Sequence, residues 1–297
     1  AFMTRQAARA SGAEEAFADE PLRLPRGSCD SQLHVYARDR STYPIRHDRP
    51  LYEAPVAELP DALLMHEQVG LERLVLVQAT VYTTDHTLLL DSLAQLTPAR
   101  ARGVAIVDDS VSDAELKRLD AAGVRAARFN FQQRLGLVPT LDGFRRSVRR
   151  VQDLGWFIKI FGGPNELADI ADEIKRCEVP VVIDHMGHLN QGGVINAAGL
   201  KLLRSILEQK DRWVMLSNGH RLSISGYPWD DAAVIGRLLY DTAPECCIWG
   251  SDWPHVGSLG GPMPDDGDLV RLLLRYLPDE AAVERVLVRN PAELFGF

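Results

Sequence analysis

Short apolar runs rich in Val, Ile and aromatic residues alternate along the chain with longer stretches of amphipathic, helix-like periodicity. That alternation is the repeating unit of a parallel sheet with helical crossovers. Eight runs fit it, at residues 29–35, 74–78, 103–107, 124–130, 156–161, 181–184, 213–218 and 246–250. Each is followed by a segment able to form a helix. After the third run, a helix is expected over 113–122, with Ser112 as N-cap and Glu115 as its capping-box partner. Eight strands with eight crossovers close into a (β/α)8 barrel. An open doubly wound sheet would usually carry a glycine-rich turn after its first strand, and none is present.

The length of 297 residues, 46% hydrophobic and 25% charged, excludes disorder of the whole chain. It suits one α/β domain, since a barrel of this kind needs about 250 residues. The barrel is placed at 25–297, after a loosely ordered N-terminal extension at 1–24. Ala1 and Phe2, which precede Met3, read as residues left from expression, and 4–18 as the loose part of the extension. A net charge of -8 argues against a nucleic-acid partner, because phosphate binding relies on massed Lys and Arg. With neither an apolar run of about 20 residues nor a signal-like start, a soluble, cytoplasmic protein with no membrane partner is expected. Cys29, Cys177, Cys246 and Cys247 lack zinc or disulfide spacing, so reduced, mostly buried thiols are expected.

Three strand ends carry candidate chemistry. Along Cys29-Asp30-Ser31-Gln32-Leu33-His34, period-two alternation would turn Asp30, Gln32 and His34 to one face. Buried polar groups are costly unless used, though a hydrogen-bonded plug at the barrel mouth is a competing reading. The sixth run ends in Asp184-His185-Met186-Gly187-His188 and the eighth in Gly250-Ser251-Asp252-Trp253-Pro254-His255. His185 and Asp252 would thus emerge at the C-terminal ends of strands, where barrel enzymes build their sites. Alone, His185 could simply bond a carbonyl and Asp252 cap a turn. Tyr52, Gln78, Tyr82 and Trp253 are further candidates to line the pocket, with packing or loop anchoring as the alternative. Cys29 has no basic partner to activate it and reads as core.

The His34 strand, Asp-His-Met-Gly at 184–187, Gly-Ser-Asp-Trp-Pro-His at 250–255 and Asn-Pro-Ala-Glu-Leu-Phe at 290–295 together resemble the amidohydrolase superfamily. More narrowly the chain resembles its lactone-processing branch, and most nearly the galactarolactone isomerases. In metal-dependent members the ligands are a first-strand His-x-His pair, two later histidines and the eighth-strand Asp. Here the pair reads Gln32-Leu33-His34, and an amide is a poor transition-metal ligand. The run 214–218 lacks the second later histidine, with His220 two residues beyond it. The resemblance therefore implies a site without metal or other cofactor.

Cationic groups must then come from elsewhere. Arg128, Arg134 and Arg221 could grip carboxylates bidentately, and the branch places arginines at similar positions, although most arginines are simply solvated. Lys159, which bridges two metals in some relatives, reads here as structural or as an extra substrate contact.

The implied partner is a small anionic lactone, and the implied reaction is isomerisation of D-galactaro-1,5-lactone to the 1,4-lactone. Asp252 would act as the base, and His34 and His185, helped by an arginine, would polarise the carbonyl. The alternatives are hydrolysis of a dicarboxylate lactone such as 2-pyrone-4,6-dicarboxylate, a metal-dependent hydrolase or decarboxylase, and a non-catalytic sugar-acid-binding barrel. Oligomeric state is not legible in the sequence.

Overall fold

A computed structural model of the protein describes residues 21–45 and 52–297. Most of the expected 1–24 extension, including Ala1, Phe2 and 4–18, lies outside the described residues. Eight strands follow: β1 (Cys29–Leu33), β2 (Arg73–Val77), β3 (Ala101–Ile106), β4 (Val124–Asn130), β5 (Phe157–Phe161), β6 (Val181–Ile183), β7 (Arg212–Met215) and β8 (Cys247–Ile248). They pair in parallel and in sequence order. The seam between β8 and β1 closes through Ser31 N–H to Trp249 O (2.9 Å), Asp252 N–H to Gln32 O (2.9 Å) and His34 N–H to Trp253 O (2.8 Å). This is the (β/α)8 barrel expected from the alternation of runs. β1, β7 and β8 end earlier than their apolar runs because the backbone there leaves the ladder to form the mouth.

The crossovers are α1 (Leu59–Val69), α2 (Thr87–Leu93), α3 (Asp113–Ala121), α4 (Leu141–Gln152), the pair α5 (Pro164–Asp169) and α6 (Ala171–Arg176), α7 (Ala197–Leu207), α8 (Gly219–Leu222) with α9 (Asp230–Thr242), and α10 (Asp266–Tyr276). Ser112 caps α3 by accepting from Glu115 N–H (3.1 Å), as its spacing predicts. The reciprocal half of the capping box does not form. The Glu115 carboxylate instead bonds the buried His86 ring (3.1 Å) and Arg118, since a buried imidazole N–H needs an acceptor more than an exposed backbone N–H does.

Inside the barrel, Cys29, Val75, Val104, Phe157, Trp213 and Phe295 fill the N-terminal half with apolar packing. A second, larger apolar layer lies between the strands and the helices. The dry floor leaves the polar interior side chains at the C-terminal end. No helix among the described residues is long and apolar enough to cross a membrane. All four cysteines are unpaired, with Cys29 and Cys247 buried.

The alternation expected along β1 breaks. Its register against β2 shifts between Asp30 and Leu33, a bulge that inserts one residue and turns Asp30 away from Gln32 and His34. Asp30 instead faces the outer layer. Its carboxylate meets His66 of α1 (3.1 Å) and accepts from Ser251 Oγ (2.6 Å), Ser251 N–H (2.9 Å) and Gln32 N–H (3.1 Å). Asp30 thus fastens the barrel seam, while Gln32 and His34 face the interior.

Candidate active site

The mouth is built from residues just past β6, β7 and β8, and the backbone there is strained. His185, Met186, Gly187 and His188 form a left-handed turn, and Asn218 and Asp252 also have positive φ, at 58° and 61°. Each non-glycine left-handed residue costs about 1–2 kcal/mol, and such cost persists where surrounding structure over-determines it. Here the turn swings His185, Asn218 and Asp252 toward one point. β8 also lies unusually close to β1: a Cβ on Gly250 would come within 2.6 Å of the Gln32 backbone N, so only glycine allows that approach.

Asp252 is at the centre. Its Oδ1 accepts from Gln32 Nε2 (3.2 Å) and lies 3.3 Å from His34 Nε2 and 3.7 Å from His185 Nε2; its Oδ2 accepts from Asn218 Nδ2 (2.8 Å). Burial alone would push the carboxyl up. The His185 and His34 rings and the Asn218 amide outweigh that and hold it well below the usual carboxylate value. His34 Nδ1 faces the Val77 carbonyl at 2.7 Å and its Nε2 faces Asp252, so each ring nitrogen lies against an acceptor of the protein.

His185 behaves differently. Burial depresses it to about 3 against the pull of Asp252, and Arg221, Lys159 and Arg128 deepen the effect. It is a neutral imidazole between Ser217 Oγ at Nδ1 (2.7 Å) and the Gln32 amide at Nε2 (3.1 Å). Neither histidine has an N–H free for a substrate carbonyl, so the geometry does not favour the polarising role expected of them.

Behind this ring lies a buried charge network. Lys159, fully buried in β5, pairs with Asp184 (3.2 Å) and donates to Gln32 Oε1. Arg128 Nε is 4.0 Å from Asp184, its Nη1 donates to Gln78 O (3.3 Å), and its guanidinium lies over the Phe161 ring. Gln32 is therefore used up within the protein: its oxygen by Lys159, its two N–H groups by Asp252 and His185. Its expected direct contact with substrate gives way to a connecting role.

Gln78 is similarly committed. Its amide donates to Thr83 O (2.6 Å) and Asp85 O (3.0 Å), holding the loop after β2, and it reaches the site through its carbonyl on Arg128. Tyr82 anchors the loop after β1 through Ala37 N–H and Arg40. Trp253 lies in the seam, where its carbonyl accepts from His34 N–H.

Among the described residues, Arg221 makes no side-chain hydrogen bond or ion pair. Its guanidinium is half-buried and packs closely over Gly257, where a Cβ would crowd it in this pose. Arg134 is exposed, donates from Nε to Gln132 (2.9 Å) and has the Arg221 charge nearby. Tyr52 shares a hydroxyl contact of 3.0 Å with Tyr36, beside Arg128 and Asp252. Tyr36, Asn218 and Ser217 were not singled out in the sequence. Their only signal is position at or just past the C-terminal ends of β1 and β7.

The donor set does not fit a resident metal. The ground between His34, His185 and Asp252 holds the Gln32 N–H groups, with the Lys159 ammonium behind them. Donors repel a cation. Among the described residues no cluster of three or more His, Cys, Asp or Glu groups is arranged to hold one.

Buried neutral histidines make a pH prediction. Burial also lowers His220 to about 3, helped by His255 and Arg221. Below the ordinary histidine value of 6.5, the unfolded chain binds protons that His185 and His220 refuse when folded. Stability should therefore fall as pH drops from about 7 to about 5, above the range where most carboxylates titrate. Thermal melting across that range checks this: a flat melting temperature would contradict it, and His220→Gln should flatten the slope.

Residues 29–297 match the family model described as Amidohydrolase. The chain is 35% identical over 294 residues to a 4-sulfomuconolactone hydrolase of Rhizobium radiobacter, covering 98% of this chain and 95% of that protein. It is 32% identical to a 2-pyrone-4,6-dicarboxylate hydrolase of Comamonas testosteroni, covering 92% of each. A D-galactarolactone isomerase of Agrobacterium fabrum is 28% identical, again over 92% of each. The sequence motifs had pointed first to the isomerases, and identity over the whole chain favours the hydrolases instead. With the fold, the strand-end residues and these matches in agreement, the chain belongs to the amidohydrolase family.

Proposed function

We propose that this protein opens a small lactone carrying at least two anionic groups, by adding water to its ring ester. The observation that carries the reading is the Asp252 carboxylate, which accepts from Gln32 and Asn218 and faces His34 in a mouth that also holds Arg128 and Arg221. Arg221, which has no side-chain partner among the described residues, and the nearby Arg134 support an anionic ligand. Like charges held close gain from an anion between them, and guanidinium groups bind carboxylate or sulfonate oxygens bidentately. The hydrolases of 4-sulfomuconolactone and 2-pyrone-4,6-dicarboxylate among the relatives support the same class of substrate.

In the proposed reaction, water attacks the ring carbonyl and gives a proton to Asp252, whose Oδ2 keeps a lone pair beyond its bond to Asn218. Negative charge develops on the carbonyl oxygen and is met by a guanidinium, since neither histidine has a free N–H. The tetrahedral intermediate collapses with cleavage of the ring C–O bond. Asp252 returns its proton to the leaving oxygen, and the product is an open-chain acid. The metal-dependent alternative is not carried forward, because the donor set leaves no place for the ion.

Isomerisation remains a second reading through the same intermediate, favoured by the similarity to the galactarolactone isomerase. A substrate hydroxyl would replace water, and well-placed intramolecular groups reach effective molarities of about 10⁵–10⁸ M. Incubating the protein with each lactone in ¹⁸O-water and following ring size by NMR separates them. Hydrolysis is expected to place one ¹⁸O in an open-chain carboxylate; an unlabelled lactone of altered ring size would overturn hydrolysis in favour of isomerisation. Thermal stabilisation by the lactone with no turnover would indicate a binding barrel and overturn both.

A further inference from the structure

Lys159 and Gln32 form an arrangement that the reaction above does not use directly. An ammonium only donates, so the Gln32 oxygen must be the atom facing Lys159, and the amide has one possible orientation. Its two N–H groups then point to Asp252 Oδ1 (3.2 Å) and His185 Nε2 (3.1 Å). A ring nitrogen that receives an N–H carries a lone pair. The His185 proton must therefore sit on Nδ1, where Ser217 Oγ lies 2.7 Å away. Asp184, 3.2 Å from Lys159 Nζ, anchors the far end. The polarity of the whole row is set from the buried lysine outward.

We infer that Lys159 and Gln32 are positioning residues that lock His185 in its Nδ1–H tautomer and insulate Asp252 from it. With Gln32 between them, His185 Nε2 stays 3.7 Å from the carboxylate and presents a lone pair, so it cannot donate a proton to the base. Asp252 is left to exchange protons with the reacting molecule through Oδ2. This inference assigns residues to the site described above and rests on the lactone reading for its catalytic consequence, but the tautomer itself is independent of any substrate.

Gln32→Glu tests it. Glutamate is nearly isosteric and still accepts from Lys159, yet it offers an oxygen where the amide offered N–H. Imidazole ¹⁵N shifts of histidine-labelled protein at neutral pH are expected to show His185 as Nδ1–H in the wild type and as Nε2–H in Gln32→Glu. Lactone turnover should fall by about 100-fold, within the range for misplacing a general base, with KM changing only a few-fold.

Lys159→Met gives a second route should the first variant fold poorly. Its untethered amide is free to turn, and both tautomers should appear. An Nε2–H His185 in the wild type, or an unchanged Nδ1–H in a variant with wild-type melting, would overturn the inference. Wild-type protein that turns over no lactone yet shows the expected tautomers would overturn the hydrolase reading and leave the lock standing.

Discussion

Asp252→Asn is expected to reduce turnover by about 10²–10⁴-fold, the usual contribution of a positioned general base, while leaving lactone affinity nearly intact. The site can accept the amide without collapse. The introduced side chain can turn its oxygen toward Gln32 and His34, which places its N–H₂ against Asn218. The Asn218 Oδ1 is buried without a partner among the described residues, so that amide can rotate to meet the new donor. The variant then differs from wild type mainly in lacking a proton acceptor. Steady-state kinetics together with calorimetric binding of the lactone check this, and near-wild-type turnover in the folded variant would remove Asp252 from the role of base.

Arg221→Met should raise KM about 10–100-fold and change kcat much less. A charge-assisted hydrogen bond contributes about 1.5–3 kcal/mol, and each 1.4 kcal/mol is a factor of ten. Methionine keeps the apolar bulk that fills the space beside Gly257, so the loss is chiefly that of the charge. Asp252 and Asp184 are engaged by Asn218 and Lys159, and no carboxylate among the described residues pairs with Arg221, which leaves it available to an anionic substrate. A drop in kcat with KM unchanged would instead place the Arg221 guanidinium on the developing oxyanion.

The two variants divide the site into a reacting part and a gripping part, and the sequence foretold them unequally. His34, His185 and Asp252 each stand at the end of an apolar run, where strand periodicity gives way and the barrel has its open face. The arginines are less legible. Arg128 is held by its place in β4, whereas Arg221 packs over Gly257, from a loop distant in sequence that local periodicity does not reveal.

By itself the sequence determined the barrel. Apolar runs spaced by helix-length amphipathic segments can bury their faces in few ways, and eight such units close on themselves. It also showed that Gln32 interrupts the metal-binding pattern of the superfamily. Only the tertiary structure decided what Gln32 does, because an amide has no fixed meaning until its neighbours are known. Lys159 lies 127 residues away and sets the orientation of that amide. Likewise, strict alternation would have put Asp30 in the site, and the β1 bulge moved it to the seam. In the bulged form Asp30 is held by His66 of α1 and by Ser251 just past β8, and local periodicity carries no trace of those partners.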